Sequence, residues 1–324
     1  MNASSLPAPR VLLTGGAGFI GSHLAEALLR RGAALLILDD LNDYYDPALK
    51  RANLDEVRSA GPFEFVQGDI CDAPLVEELF ARFRPGAVLH LAARAGVRPS
   101  LEQPALYQRV NVEGTAVLLE ASRRHGVRRF VFASSSSVYG AASRVPFSED
   151  DPVRAPISPY AASKIAGEAL CHVYSHLYGM QIACLRFFTV YGPRQRPDLA
   201  IRKFAEAIAA GRPIPVFGDG STGRDYTFIG DIVAGILAAM EFDGAFEVFN
   251  LGNSSPVLLR DMIAVLERVL GRKAVIDRQP LQPGDVPITY ADISKARRLL
   301  GWAPETPLEE GVRRMAEWLG LLPA

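Results

Sequence analysis

Cysteine is scarce: Cys71, Cys171 and Cys184 are the only three in 324 residues. Their odd number and lack of metal-ligand spacing imply neither a disulfide framework nor a cysteine-built metal centre. A reducing, cytoplasmic setting is the simplest expectation. Excess charge is lacking too. Thirty-five Lys and Arg against 36 Asp and Glu leave a formal net charge of −1, which removes any general attraction to nucleic acid or an anionic membrane, local basic pockets apart. No apolar run is long enough to span a bilayer. The stretch Met1 to Arg10 has no basic segment followed by an apolar one, and its Ser, Pro and Ala content reads as a tail. Repeats and low-complexity tracts are absent. What the chain does have is apolar bulk, 49% of its residues, enough for one large α/β domain with an added lobe or for two ordinary domains.

The N-terminal part carries a phosphate-binding order of elements. Val11 to Thr14 reads as a short buried strand, Gly15-Gly16-Ala17-Gly18-Phe19-Ile20-Gly21 as a turn, and Ser22 to Arg31 as a helix. Gly15, Gly18 and Gly21 permit a tight turn, close approach to a pyrophosphate, and close packing of helix on strand. The turn, Phe19 and Ile20 included, is assigned to the cofactor. A second strand, Ala34 to Leu38, ends in Asp39-Asp40, where a carboxylate accepts both hydroxyls of an adenosine ribose and repels a 2′-phosphate, so NAD is favoured over NADP. Strands Phe63 to Gln67 and Ala87 to Leu91 run into Asp69-Ile70 and Ala92-Ala93. In a doubly wound sheet both ends lie on the dinucleotide edge, with Asp69 toward adenine and small alanines letting the cofactor pass beside Leu91. His90 is expected as a buried ring satisfied by backbone.

Pro104 to His125 reads as one long helix carrying Asn111, placed among the cofactor contacts. A fifth strand, Arg128 to Ala133, runs into Ser134-Ser135-Ser136-Ser137-Val138-Tyr139-Gly140, whose hydroxyls are expected to project from the same sheet edge. Ser158 is a good N-cap and Pro159 suits the first helical position, so a helix to about Tyr178 sets Tyr160 and Lys164 one turn apart on one face. A phenol beside an ammonium is a plausible general base, since a nearby positive charge favours phenolate. His172 and His176 share i, i+4 spacing with no third ligand, and read as a solvated face.

Beyond a sixth strand, Ala183 to Phe187, the alternation becomes irregular. Leu199 to Ala210 reads as helix, Ile214 to Phe217 as a strand, Gly218 to Tyr226 as a glycine-rich loop with Arg224 a candidate for anion binding, and Glu247 to Leu251 as a strand rejoining the main sheet. Helices are expected around 258–270 and 293–300. The resulting fold class is α/β: a Rossmann-type doubly wound parallel sheet over 1–188, with 225–252 returning to it, and a smaller C-terminal α/β substrate lobe from 189–224 and 253–324.

The ordered set Gly15, Gly18, Gly21; Asp69-Ile70; Leu91-Ala92-Ala93; the serine run ending in Val138-Tyr139-Gly140; Tyr160 with Lys164; and Arg224-Asp225-Tyr226 resembles the extended short-chain dehydrogenase/reductase family over almost the whole chain. More narrowly it is similar to nucleotide-sugar 4-epimerases. Asp39 to Asp46, Ala95-Gly96-Val97-Arg98, Phe188 to Pro193, Arg196-Pro197-Asp198 and Gln282 to Pro287 look like the UDP-glucuronate type. The UDP-galactose type usually has Asn where Thr189 stands and an arginine where Gln282 stands. Arg94 replaces a usual Gln, and Arg194-Gln195 a usual aromatic-Gly pair.

The resemblance implies a homodimer built on the helices near Pro104 and Pro159, and enzyme-held NAD that oxidises and re-reduces C4 of a UDP-sugar through a 4-keto intermediate. Tyr160 is then the base, Ser135 positions the oxygen, and Lys164 holds the nicotinamide ribose. A uronate becomes a β-keto acid on oxidation and loses carbon dioxide unless its carboxylate is restrained. Arg98, Ser136, Ser137, Thr189 and Arg196 are the expected contacts on the sugar side, with Arg224 and Asp285 on the nucleotide. Decarboxylases and dehydratases of the family commonly carry a Glu in the serine segment, where Ser137 and Val138 stand here. Two alternatives stay open: a UDP-glucose or UDP-N-acetylglucosamine 4-epimerase, and a non-catalytic NAD-binding sensor. No metal is expected.

Overall fold

The computed structural model describes residues 9–141, 144–280 and 288–322. The expected alternation is present. β1 (Arg10–Thr14), α1 (Phe19–Arg30), β2 (Ala34–Asp39), α2 (Pro47–Arg58), β3 (Glu64–Gln67), α3 (Ala73–Phe83) and β4 (Ala87–His90) form its first half. α4 (Val97–Glu102), α5 (Pro104–Gln108), α6 (Gly114–Arg124), β5 (Arg129–Ser135), α7 (Pro159–Tyr178) and β6 (Gln181–Phe187) follow. With the later strand Phe246–Leu251 they build a seven-stranded sheet in the order Phe246–Leu251, β6, β5, β4, β1, β2, β3. β1 pairs in parallel with β2 and β4, and the order reverses between β1 and β4, which is the switch point where open α/β sheets bind ligands. Register brings the strand ends level. Thr14 stands beside Leu38 and His90, and His90 beside Phe132, so the glycine turn, Asp39 and Ala133 leave the sheet in one row.

The central strands are buried apolar runs, as strands covered by helices must be. Leu12, Leu36, Val88, Phe130 and Phe132 pack with Leu79 and Phe80 of α3, Leu118 and Leu119 of α6, and Cys171 of α7. This core lies in the first of two compact units, the described residues of Met1–Val138 with Ser158–Leu185 and Ala239–Val248.

The second unit contains the described residues of Tyr139–Ile157, Arg186–Ala238 and Phe249–Ala324. Its elements are β7 (Thr189–Tyr191), α8 (Ala200–Ala209), β8 (Ile214–Phe217), β9 (Gly223–Arg224), β10 (Tyr226–Phe228) and α9 (Ile229–Met240), whose last two residues fall in the first unit. After β11 (Phe246–Leu251) come β12 (Val257–Leu258), α10 (Leu259–Leu270), β13 (Ile276–Gln279), β14 (Ile288–Thr289), α11 (Ser294–Leu300) and α12 (Leu308–Trp318). Segment 139–157 groups with this unit because Tyr139 stacks on Phe147 at 4.8 Å and Phe147 bridges to Ala291. Of the expected return over 225–252, only 239–248 groups with the first unit.

Three expectations change. Pro104 to His125 is not one helix, for a π-helical turn, Arg109–Glu113, separates α5 from α6. The wide turn carries Asn111 inward, where it is 1% exposed. α1 begins at Phe19, so Gly21 is helical and lies so close to the loop that a Cβ there would stand 2.1 Å from the Gly15 carbonyl oxygen. β5 includes Ser134 and Ser135, so two of the four serines belong to the strand. Five helices, α2, α3, α4, α9 and α12, were not anticipated. α2 and α3 carry legible caps, Asp46 and Asp72 with prolines just inside, whereas α9 is apolar nearly all round and shows no single face.

Candidate active site

The glycine turn is braced on every side. Gly15 sits at φ +74°, where a Cβ would press on the Ala92 backbone at 2.6 Å. Gly18 caps α1 with no side-chain hydrogen bond, leaving the first turn's N–H groups without a capping side chain, the arrangement in which a helix start receives a phosphate. Asn53 of α2 donates to the Ala17 carbonyl at 2.9 Å, a brace with no obvious sequence signal. Asp39 is 6% exposed, and its carboxylate accepts from the N–H groups of Ala17 (3.1 Å) and Leu41 (2.9 Å), which seats an acid directly against the loop. Burial raises its pKa, an effect opposed by the Leu41 hydrogen bond and by Lys50. Asp40 accepts from Asn42, and Lys50, itself buried, donates to the Asn42 carbonyl. These features fit a dinucleotide: a tight glycine cradle, an uncapped helix start and a carboxylate at the second strand's end.

Further along the edge, Asp69 accepts from Cys71 N–H and from Arg109 at 2.8 Å. Ile70 is buried, and Leu91, Ala92 and Ala93 are half-buried. His90 is satisfied, but by hydroxyls rather than backbone: Nδ1 meets Thr14 Oγ1 at 2.8 Å and Nε2 meets Thr115 Oγ1 at 2.9 Å. Burial holds its pKa down to about 3, so the ring is neutral. Asn111, expected at the cofactor, has its amide used inside the protein. Oδ1 accepts from Arg94 N–H, and Nδ2 donates to the Arg94 carbonyl and to Ser163 Oγ. It therefore ties the loop after β4 to α7.

The helix start reads as predicted. Ser158 Oγ accepts from Ala161 N–H at 3.1 Å and Pro159 occupies the first turn. Tyr160 and Lys164 share a face, with Lys164 Nζ 6.0 Å from the Tyr160 ring centre. Tyr107 of α5 meets the same ring edge-on at 6.2 Å. Lys164 is 3% exposed and donates to the Ala133 carbonyl at 2.6 Å, two residues before Ser135. Burial lowers its pKa to about 8, with Cys171 and Glu168 acting the other way. Ser135 Oγ donates to Ser137 Oγ and accepts from Ser137 N–H, both at 3.2 Å. Ser135, Tyr160 and Lys164 thus belong to one unit, and Ser136 and Ser137 form the 3₁₀ turn just after β5.

The other expected substrate contacts are distributed. Arg98 lies exposed on α4 in the first unit. In the second, Thr189 opens β7 and its N–H donates to the Asp225 carbonyl. Arg196 makes a two-pronged pair with Asp198, at 3.0 and 2.9 Å, and Arg224 in β9 donates to the Gly223 carbonyl. Asp285 and the segment Gln282 to Pro287 lie outside the described residues. Gln195 has a structural use: it donates to the Val190 carbonyl and accepts from Arg202 N–H. His172 and His176 are exposed and stacked at 6.2 Å. Among the described residues no helix is long and apolar enough to cross a membrane.

Comparison with known proteins bears on the chemistry. A family model described as GDP-mannose 4,6 dehydratase matches residues 12–315. The chain is 46% identical over 308 residues to the UDP-glucuronate 4-epimerase of Thermodesulfobacterium geofontis, covering 95% of each. It is also similar to the solved UDP-glucuronic acid 4-epimerase of Bacillus cereus in complex with UDP-glucuronic acid and NAD. That match has a TM-score of 0.88 and 36% identity, covering 96% of this chain and 99% of the other. The UDP-glucose 4-epimerase of Thermotoga maritima, solved with UDP-glucose, matches with the same TM-score at 34% identity.

Proposed function

The chain belongs to the GDP-mannose 4,6 dehydratase family of extended short-chain dehydrogenases/reductases, and from that premise we propose how its residues perform the inversion of C4 in UDP-glucuronate. The protein is an NAD-dependent UDP-sugar 4-epimerase that interconverts UDP-glucuronate and UDP-galacturonate through a 4-keto sugar. Bound NAD supplies the acceptor for the C4 hydride and returns it to the opposite face, so no external oxidant is consumed. Tyr160 takes the C4 hydroxyl proton and gives it back on reduction. Ser135 positions the oxygen. The buried Lys164 ammonium supports the Tyr160 phenolate and holds the nicotinamide ribose. The observation that carries this assignment is the seating of Lys164 between the Tyr160 ring and the strand that ends in Ser135.

Backbone from Gly15 to Gly21, Phe19 and Ile20 included, receives the pyrophosphate, Asp39 with Asp40 the adenosine ribose, and Asp69 with Ile70 the adenine. Leu91, Ala92 and Ala93 pass beside the cofactor, and Asn111 acts by holding the loop that follows them. The first unit is the NAD-binding part and the second the nucleotide-sugar part. On sequence grounds, Ser136, Ser137 and Thr189 restrain the uronate carboxylate with Arg196 adding charge, Arg98 is a further substrate contact, and Arg224 with Asp285 receives the UDP. The enzyme works in the cytoplasm as a homodimer, in keeping with three free cysteines and with apolar Leu101, Val173 and Leu177 exposed on α4 and α7.

Purified protein given UDP-glucuronate, UDP-glucose and UDP-N-acetylglucosamine separately, with no added NAD, tests this. UDP-galacturonate is expected from the first. Turnover of the neutral sugars alone refutes the substrate, a pentose product points to decarboxylation, and no turnover at all favours a sensor. Tyr160→Phe is expected to lose roughly a hundredfold or more of kcat while keeping NAD.

A further inference from the structure

Helix α7 repeats one spacing beyond the two residues already assigned: 160, 164 and 168 follow one another at i, i+4 and lie on one face. The third is Glu168, a carboxylate only 7% exposed. Its Oε1 accepts from Ser134 Oγ at 2.5 Å, and Ser134 is 3% exposed. Three consecutive residues of β5 therefore seat the helix. The Phe132 ring lies 5.0 Å from Lys164 Nζ, the Ala133 carbonyl receives that ammonium, and the Ser134 hydroxyl holds Glu168. Gly167 makes the approach possible, since a Cβ there would stand 2.4 Å from the Phe132 ring. Ser135, the next residue of the strand, is the proposed oxygen-positioning serine.

A carboxylate one turn from a buried ammonium favours the ammonium's charged form, and a buried charge left alone is strongly disfavoured. Other groups face Lys164. Cys171 and Tyr160 are on its own helix, the neutral His90 is on β4, and Tyr107 of α5 abuts Tyr160. Among the described residues acting on Lys164, Glu168 is the carboxylate. We propose that Glu168 is a positioning residue of this enzyme: anchored by Ser134, it keeps Lys164 charged and fixes the register of α7 on β5, and so the placement of Tyr160 relative to Ser135. Its effect on turnover rests on the function proposed above, whereas its effect on Lys164 does not.

Two readouts test it on the NAD-loaded protein as purified. The titration of Lys164 is followed by ¹³C NMR with labelled lysine, assigned by Lys164→Arg, and kcat for UDP-glucuronate is measured against pH. Glu168→Gln preserves shape and removes charge. The Lys164 midpoint is expected to fall by about one pH unit, the low end of what a nearby opposite charge produces. The alkaline limb of kcat is expected to move with it, and Glu168→Asp to restore most of the shift. A midpoint unchanged in Glu168→Gln overturns the proposal, even where thermal stability drops. If Glu168→Gln does not fold, Ser134→Ala is read instead, with a smaller fall expected and an unchanged midpoint again overturning it. Wild-type protein inactive on UDP-glucuronate would refute the function, while the NMR titration would still decide the role of Glu168.

Discussion

An ammonium enclosed in protein is held at a cost, and Lys164 bears it at the centre of the site. Burial brings its pKa down to about 8, so the charge proposed to support Tyr160 is present below that pH and lost above it. kcat is accordingly expected to decline as pH rises through 8, and a profile flat to pH 10 would contradict the role given to Lys164. Stability runs the other way for this residue. Between about 8 and the ordinary lysine value of 10.5 the unfolded chain binds the proton that the folded one has released, so the contribution of Lys164 to stability rises with pH across that window. His90, two strands from the glycine turn's partner β2, shows the contrasting solution: two threonine hydroxyls satisfy a ring that stays neutral.

Among the elements, the glycine turn with α1 is the least tolerant of added volume. A Cβ on Gly21 would meet backbone at 2.1 Å, whereas one on Gly18 would stand 3.2 Å from its nearest neighbour. Gly21→Ala is expected to cost about 1–3 kcal/mol in denaturant unfolding and to lower the NAD content of purified protein. Gly18→Ala should fold near normally, and equal stability losses in the two variants would contradict the packing described. The π-helical turn at Arg109–Glu113 works at the same scale, since it points Asn111 at both the loop after β4 and the start of α7. No periodicity announces it, because apolar spacing is the same on either side of one inserted residue.

For the molecule as a whole, the outer surface of α7 is informative. Val173, Leu177 and Tyr178 are 44%, 61% and 49% exposed, and Leu101 of α4 is 61% exposed. Exposed apolar patches of this kind mark association surfaces. The protein is expected to elute as a dimer in size-exclusion chromatography with light scattering, and Leu177→Glu to elute as a monomer. A monomeric wild type would remove the dimer from the proposed function.

The sequence alone determined the strand–turn–helix cradle, the acid at the second strand's end, the Ser158 cap and the Tyr160–Lys164 spacing, because each depends on local backbone chemistry within a few residues. Even the i, i+4 placement of Glu168 was present in it, unremarkable until Ser134 stood opposite. Tertiary structure decided the rest. That β5 runs through Ser135, that Asn111 faces inward, that His90 meets Thr14 and Thr115, and that segment 139–157 groups with the second unit all depend on partners distant in the chain. Such pairings are set by which buried polar groups must find one another once water is excluded, and a linear pattern records the groups without recording the match.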